Sequence, residues 1–171
     1  MKSIVKNISA SSPIVLFSVL GSSEPTVTIK LIVDTDHFEK KNWPASCHFE
    51  ATWSASGKVE KSSPGKLECF SIEATVGDTI RWEGESSSPE TVIVDITKIR
   101  RAQKSGTKIF KNRSNYGTKH NSSKKETVEA EVIYNTIDKA DYKYNISFKI
   151  VGASNANGTY KIDPKVSVKK R

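Results

Sequence analysis

From residue 70 to residue 84 apolar and polar side chains alternate on either side of one short interruption. Phe70, Ile72, Ala74, Val76, Ile80 and Trp82 hold the even positions, and Ser71, Glu73, Thr75, Thr79, Arg81 and Glu83 the odd ones. A period of two predicts strands with one face on a core and the other in water. Gly77-Asp78 interrupts the run with turn chemistry, since glycine takes positive φ freely and aspartate bonds its neighbouring backbone. The stretch therefore predicts a hairpin of two short strands, with Trp82 as its largest core anchor.

The same period recurs along the chain. Val27, Ile29, Leu31 and Val33 alternate with Thr28, Lys30 and Ile32, and Phe49, Ala51 and Trp53 with His48, Glu50 and Thr52. Residues 91–99 are too rich in β-branched side chains for a comfortable helix, and Val92, Val94 and Ile96 are predicted to share one face. Later, Val128, Ala130, Val132 and Tyr134 make one strand face, and Tyr142, Tyr144, Ile146, Phe148 and Ile150 another. Tyr160 and Ile162, then Val166 and Val168 beyond Pro164, close the pattern. Gly, Pro, Ser and Asn gather between these runs, at 54–66, 85–90 and 152–158. No stretch has the period of a helix. The prediction is an all-β fold, a two-sheet antiparallel β-sandwich of the immunoglobulin, cupredoxin or jelly-roll kind, with about nine or ten short strands. The 171 residues are read as a single sandwich domain over 1–171 with a basic, loop-rich insertion at about 98–125.

Composition fits this picture: 36% hydrophobic and 27% charged residues suit strands that give half their side chains to solvent. Cys47 and Cys69 can pair once but cannot make a disulfide framework, and two free thiols are the expectation. The apolar run at 13–20 is opened by Pro13 and is too short to span a bilayer, so it is read as a buried first strand rather than a signal segment, and the chain as soluble.

Charge changes the picture more. The chain carries 27 Lys and Arg against 19 Asp and Glu, a net +8. Lys98, Arg100, Arg101, Lys104, Lys108, Lys111, Arg113, Lys119, Lys124 and Lys125 are ten cations with no acid among them, so subtracting them leaves −2 on the rest. Phe110 and Tyr116 are interleaved, as where rings stack on bases or sugars. Lys98, Arg100, Arg101, Lys104, Lys108, Lys111, Arg113 and Lys119 are thus the candidate residues for an anionic partner: nucleic acid, an acidic glycan or an acidic protein surface. A solvated loop that keeps the protein dispersed accounts for the same residues.

Other chemistry is thinner. Asp34, Asp36 and His37 could chelate a divalent cation at a strand end, but no glycine-spaced calcium loop follows and the expected role of Asp34 is to cap a turn. Cys47 and His48 are adjacent, which on a strand sends them to opposite faces and argues against a copper site. No nucleophile elbow and no phosphate-binding glycine loop is found. No cofactor, no metal and no catalytic residue is therefore expected.

Three stretches resemble one family. Residues 31–46 (LIVDTDHFEKKNWPAS), 72–86 (IEATVGDTIRWEGES) and 142–168, which end in Gly-Thr-Tyr and Asp-Pro before a last alternating strand, are similar to the PixA/AidA inclusion-body proteins of bacteria. The basic stretch 100–125 has no counterpart in that pattern. The resemblance implies a β-sandwich accumulated in quantity, with no established catalytic residues. The expected function is a non-enzymatic structural or assembly protein, inclusion-body-like or part of a bacterial protein assembly. Its partners would be copies of itself or another protein, in the cytoplasm or after export. The alternative is a binding module that takes an anionic ligand through 98–125.

Overall fold

The computed structural model describes residues 26–87, 92–102, 108–111, 119–122, 125–136 and 142–169, with the backbone alone for 119–122 and 125–126. The apolar run at 13–20 and the side chain of Tyr116 lie outside them. Among the described residues eleven strands form two sheets: β1 (Val27–Val33), β2 (Cys47–Trp53), β3 (Val59–Lys61), β4 (Ser71–Thr75), β5 (Thr79–Ser86), β6 (Ile93–Arg101), β7 (Lys119–Ser122), β8 (Lys125–Glu131), β9 (Tyr142–Val151), β10 (Gly158–Ile162) and β11 (Lys165–Lys169). The first sheet runs β3-β2-β1-β5-β8-β7, and the second β10-β9-β11-β4, with β6 on the other side of β9. The sheets are mixed rather than wholly antiparallel. β1 lies parallel to β5 and β4 parallel to β11, because in each case the chain leaves the sheet before it returns.

The predicted hairpin is a corner between sheets. β4 joins β11 in the second sheet and β5 joins β1 and β8 in the first. The turn itself is as expected, with Gly77 at φ 98° and the Asp78 carboxylate accepting the Thr75 N–H at 2.6 Å. Its outer bonds go elsewhere, however: Gly77 N–H donates to Val132 O and Val76 N–H to Lys169 O. The even-numbered face stays inward on both sides of the corner because both sheets face the same core. Ile72, Ala74, Ile80 and Trp82 are all buried.

At the centre of that core Trp82 meets Phe110 and Tyr144 edge to face, with ring centroids 5.5 and 5.7 Å away, and its indole N–H donates to the Tyr144 hydroxyl at 3.2 Å. Gly84, two residues along β5, lies tight against β6: a Cβ there would collide with the Val94 carbonyl oxygen. Two strand assignments need adjustment. In β6 the register slips between Ile96 and Lys98, which makes Thr97 a bulge, turns Ile99 into the core and leaves Lys98 outside. Tyr134 is not part of a strand face; β8 ends at Glu131, and Tyr134 is exposed where the chain turns to bring Thr136 onto Val168 of β11.

Candidate interaction site

β6 places Lys98, Arg100 and Arg101 on the rim of the second sheet, Lys98 and Arg101 half-buried and Arg100 exposed. Farther along, the segment is pinned rather than free. Ile109 and Phe110 are fully buried, Phe110 bridges Val132, and Ile133 N–H donates to Ile109 O. Lys108 and Lys111 flank this pin. The Lys108 ammonium donates to Lys111 O at 2.6 Å, and Lys111 pairs with Glu131 at 2.8 Å, which holds its ammonium above its ordinary pKa. Lys119 opens β7; Lys104 and Arg113 lie outside the described residues. The described candidate cations are therefore divided among the β6 rim, the Phe110 pin and the start of β7.

Sequence reasoning looked for a run and missed a face. Alternation carries Lys98 and Arg100 of β6, Lys143 and Lys149 of β9, Lys161 of β10, and Lys165 and Lys169 of β11 to the outer side of the second sheet, where Asp95 and Glu73 are the strand acids. Lys165 stands directly opposite Lys143, a like-charge pairing that costs stability. Lys169 pairs with Glu73 at 2.7 Å. Among the described residues no ion pair is formed by Lys98, Arg100, Lys143, Lys149 or Lys165.

The outer side of the first sheet is different. Glu50, Glu83, Glu85 and Glu129 point outward there, and each is already matched: Glu50 with Lys61 at 2.7 Å, Glu85 with Lys30 at 2.9 Å, and Glu83 and Glu129 both with Arg81. The hydrogen bond to Glu85 raises the Lys30 pKa against the opposing pull of burial. Acids that could have met a basic segment from another molecule are thus neutralised within the sheet.

At the end of β1 an open cleft of about 500 Å³ is lined by Asp34, His37, Glu39, Asn42, Ser46 and His48, among others. Asp34 caps the turn, accepting from the His37 N–H at 3.1 Å and sharing 3.0 Å with its Nδ1. Burial lifts the Asp34 carboxyl, but the bonds from His37 outweigh it and leave the pKa lowered; the Asp34 bond in turn raises His37. Both serines of the cleft bond backbone rather than a histidine ring, the Ser46 hydroxyl donating to the His37 carbonyl and the Ser87 hydroxyl to the Val33 carbonyl. Among the described residues no group of three or more His, Cys, Asp or Glu is gathered as metal ligands. Cys47 and Cys69 are both free; Cys47 is buried beside the Trp43 carbonyl, and burial pushes its thiol up to about 12, whereas Cys69 is exposed. No helix among the described residues is long and apolar enough to cross a membrane.

No family model matches the chain. No curated protein matches it in sequence either. Among solved structures it is similar to the crystal structure of the inclusion body protein PixA from Burkholderia cenocepacia, with a TM-score of 0.53 over 89% of this chain and 99% of that one, at 12% identity. At that identity the likeness is one of fold.

Proposed function

We propose that this chain is a non-enzymatic structural protein of the PixA/AidA inclusion-body kind, which works in the cytoplasm by assembling with copies of itself or with another protein. The observation that carries this reading is the fold shared with an inclusion body protein over nearly the whole of both chains. The free thiols Cys47 and Cys69 fit a reducing compartment. Sedimentation of the purified chain over a wide concentration range tests it. Concentration-dependent growth in mass is expected, and a monomer throughout would overturn the reading.

A second reading draws on the cationic outer side of the second sheet. Five cations that form no ion pair among the described residues, spread over β6, β9 and β11, suit an anionic partner better than a run in one loop does, since the strands hold them in one plane. A variant with Lys98, Arg100, Lys143 and Lys149 changed to Ser should lose retention on a heparin column while keeping its melting temperature. Unchanged retention would remove this reading.

A further inference from the structure

We propose that a second copy of this chain docks by antiparallel pairing of β10 against β10, joining the second sheets of two molecules into one. This rests on the assembly reading and names the edge that serves it.

Among the described residues each of the other sheet edges is blunted. β3 is three residues long and held between the Lys58–Glu60 and Lys61–Glu50 pairs. β4 has its Glu73 carbonyl occupied by the indole N–H of Trp53 at 3.1 Å. β6 is interrupted by the Thr97 bulge and lined by Lys98 and Arg100. β7 is four polar residues, KHNS. Bulges, short length and charge are the devices by which sheets avoid adding strands. β10 has five residues, is exposed at Gly158, Thr159 and Lys161, and among the described residues pairs with β9 alone.

The direction of its free backbone groups follows from β9. Ser147 O accepts from Thr97 of β6, Lys143 O accepts from Ala102 N–H just past β6, and Tyr144 N–H donates to Pro164 O on the opposite side. In an antiparallel strand the N–H and C=O of one residue point the same way, and successive residues alternate. Odd residues of β9 thus face β6 and even ones face β10. With Tyr160 opposite Phe148, the residues of β10 that bond β9 are Gly158, Tyr160 and Ile162. The N–H and C=O of Thr159 and Lys161 point outward.

A two-fold axis at Tyr160 sets Thr159 of each copy against Lys161 of the other, each pair exchanging both backbone bonds. Lys161 never meets Lys161. The one lysine on this edge therefore selects the register rather than closing the edge, because a shift that placed the lysines opposite would set like charges together. Tyr160 keeps its ring inward against Phe38, Trp43 and Phe148, so pairing disturbs no core contact.

Three full-length variants, compared with wild type by sedimentation equilibrium, test the proposal. Thr159→Pro removes an N–H that points away from β9 and should abolish the dimer while β10 stays in its sheet. In case proline disturbs the fold, Thr159→Lys sets lysine against lysine twice per dimer and should weaken the dimer by about tenfold, and Thr159→Glu should strengthen it by a similar factor. If wild type self-associates and none of the three moves the dissociation constant, the β10 edge is wrong and the assembly reading stands. If wild type is monomeric at every concentration, both fall.

Discussion

Trp82 and Arg81 are neighbours on β5 with opposite environments, and their substitutions separate burial from charge. Trp82→Ala removes the ring that meets Phe110 and Tyr144 and leaves the buried Tyr144 hydroxyl without its donor, so a loss of about 3–5 kcal/mol is expected in denaturant unfolding. On alternation alone Arg81 is a solvent-facing residue worth little. The structure sets it between Glu83 and Glu129, half-buried, and Arg81→Ala leaves two carboxylates facing each other. Between the cost of an exposed pair and that of a buried one, about 1–2 kcal/mol is expected. A second residue-level expectation concerns the Asp34–His37 pair. His37 is raised in the folded state, so its contribution is complete below the ordinary value of 6.5 and lost as pH climbs through the folded value. Asp34 is lowered, so its contribution is present above the ordinary 3.8 and lost as pH falls through the folded value. Asp34→Asn should therefore bring the His37 titration, followed by NMR, down toward 6.5; an unmoved midpoint would show that the carboxylate does not hold the ring. Thiol labelling under native conditions should modify Cys69 alone, with Cys47 reacting only after unfolding, because its thiol is buried and held protonated.

At the scale of elements, alternation told which side chains face inward but not which sheet they belong to. The inward face from Phe70 to Trp82 was legible because a period of two survives a corner as well as a hairpin, and only the bonds of Gly77 and Val76 to Val132 and Lys169 tell the two apart. Those partners lie far along the chain, where no local pattern points to them. The bulge at Thr97 was hidden for a related reason: one extra residue looks like a lapse in patterning until Ile99 is seen buried. It yields a sharp expectation. Deleting Thr97 should leave cooperative unfolding, since Ile96 and Ile99 then alternate regularly about Lys98. Deleting Asp95 slips Ile96 to the outer face and should abolish it. Circular dichroism melts of the two deletions check this, and similar melts would remove the bulge assignment. The cationic outer side was illegible because its residues come from four strands, and strand order rather than sequence order assembles it.

At the scale of the whole molecule two forces compete in any assembly, and salt separates them. Each copy carries a net +8, and pairing along β10 brings two cationic outer sides edge to edge in one continuous sheet. Lys161 of one copy then lies diagonally across the seam from Lys161 of the other, and Lys149 two strands away from it, at separations of about 8–10 Å that are comparable to the Debye length at physiological ionic strength. Raising salt screens that repulsion, while the backbone bonds of the edge are indifferent to it, so the β10 dimer should tighten as salt is added. Stacking of one copy's cationic side on another's first sheet would do the opposite. That contact would have to displace the Lys61, Lys30 and Arg81 partners from Glu50, Glu85, Glu83 and Glu129, and would weaken as salt rises. An anionic polymer gives a third signature. It binds the same cationic side, falls away with a log–log slope of about −0.9 per neutralised phosphate on duplex DNA, and at low salt should promote the dimer by neutralising the repulsion it otherwise meets. Sedimentation at a fixed protein concentration, stepped from low to high salt with and without duplex DNA, reads all three. Tightening with salt in the protein alone is the expected outcome. Weakening with salt would move the interface from the β10 edge to the charged faces, and no salt dependence at all would mean that neither cationic side lies near the contact.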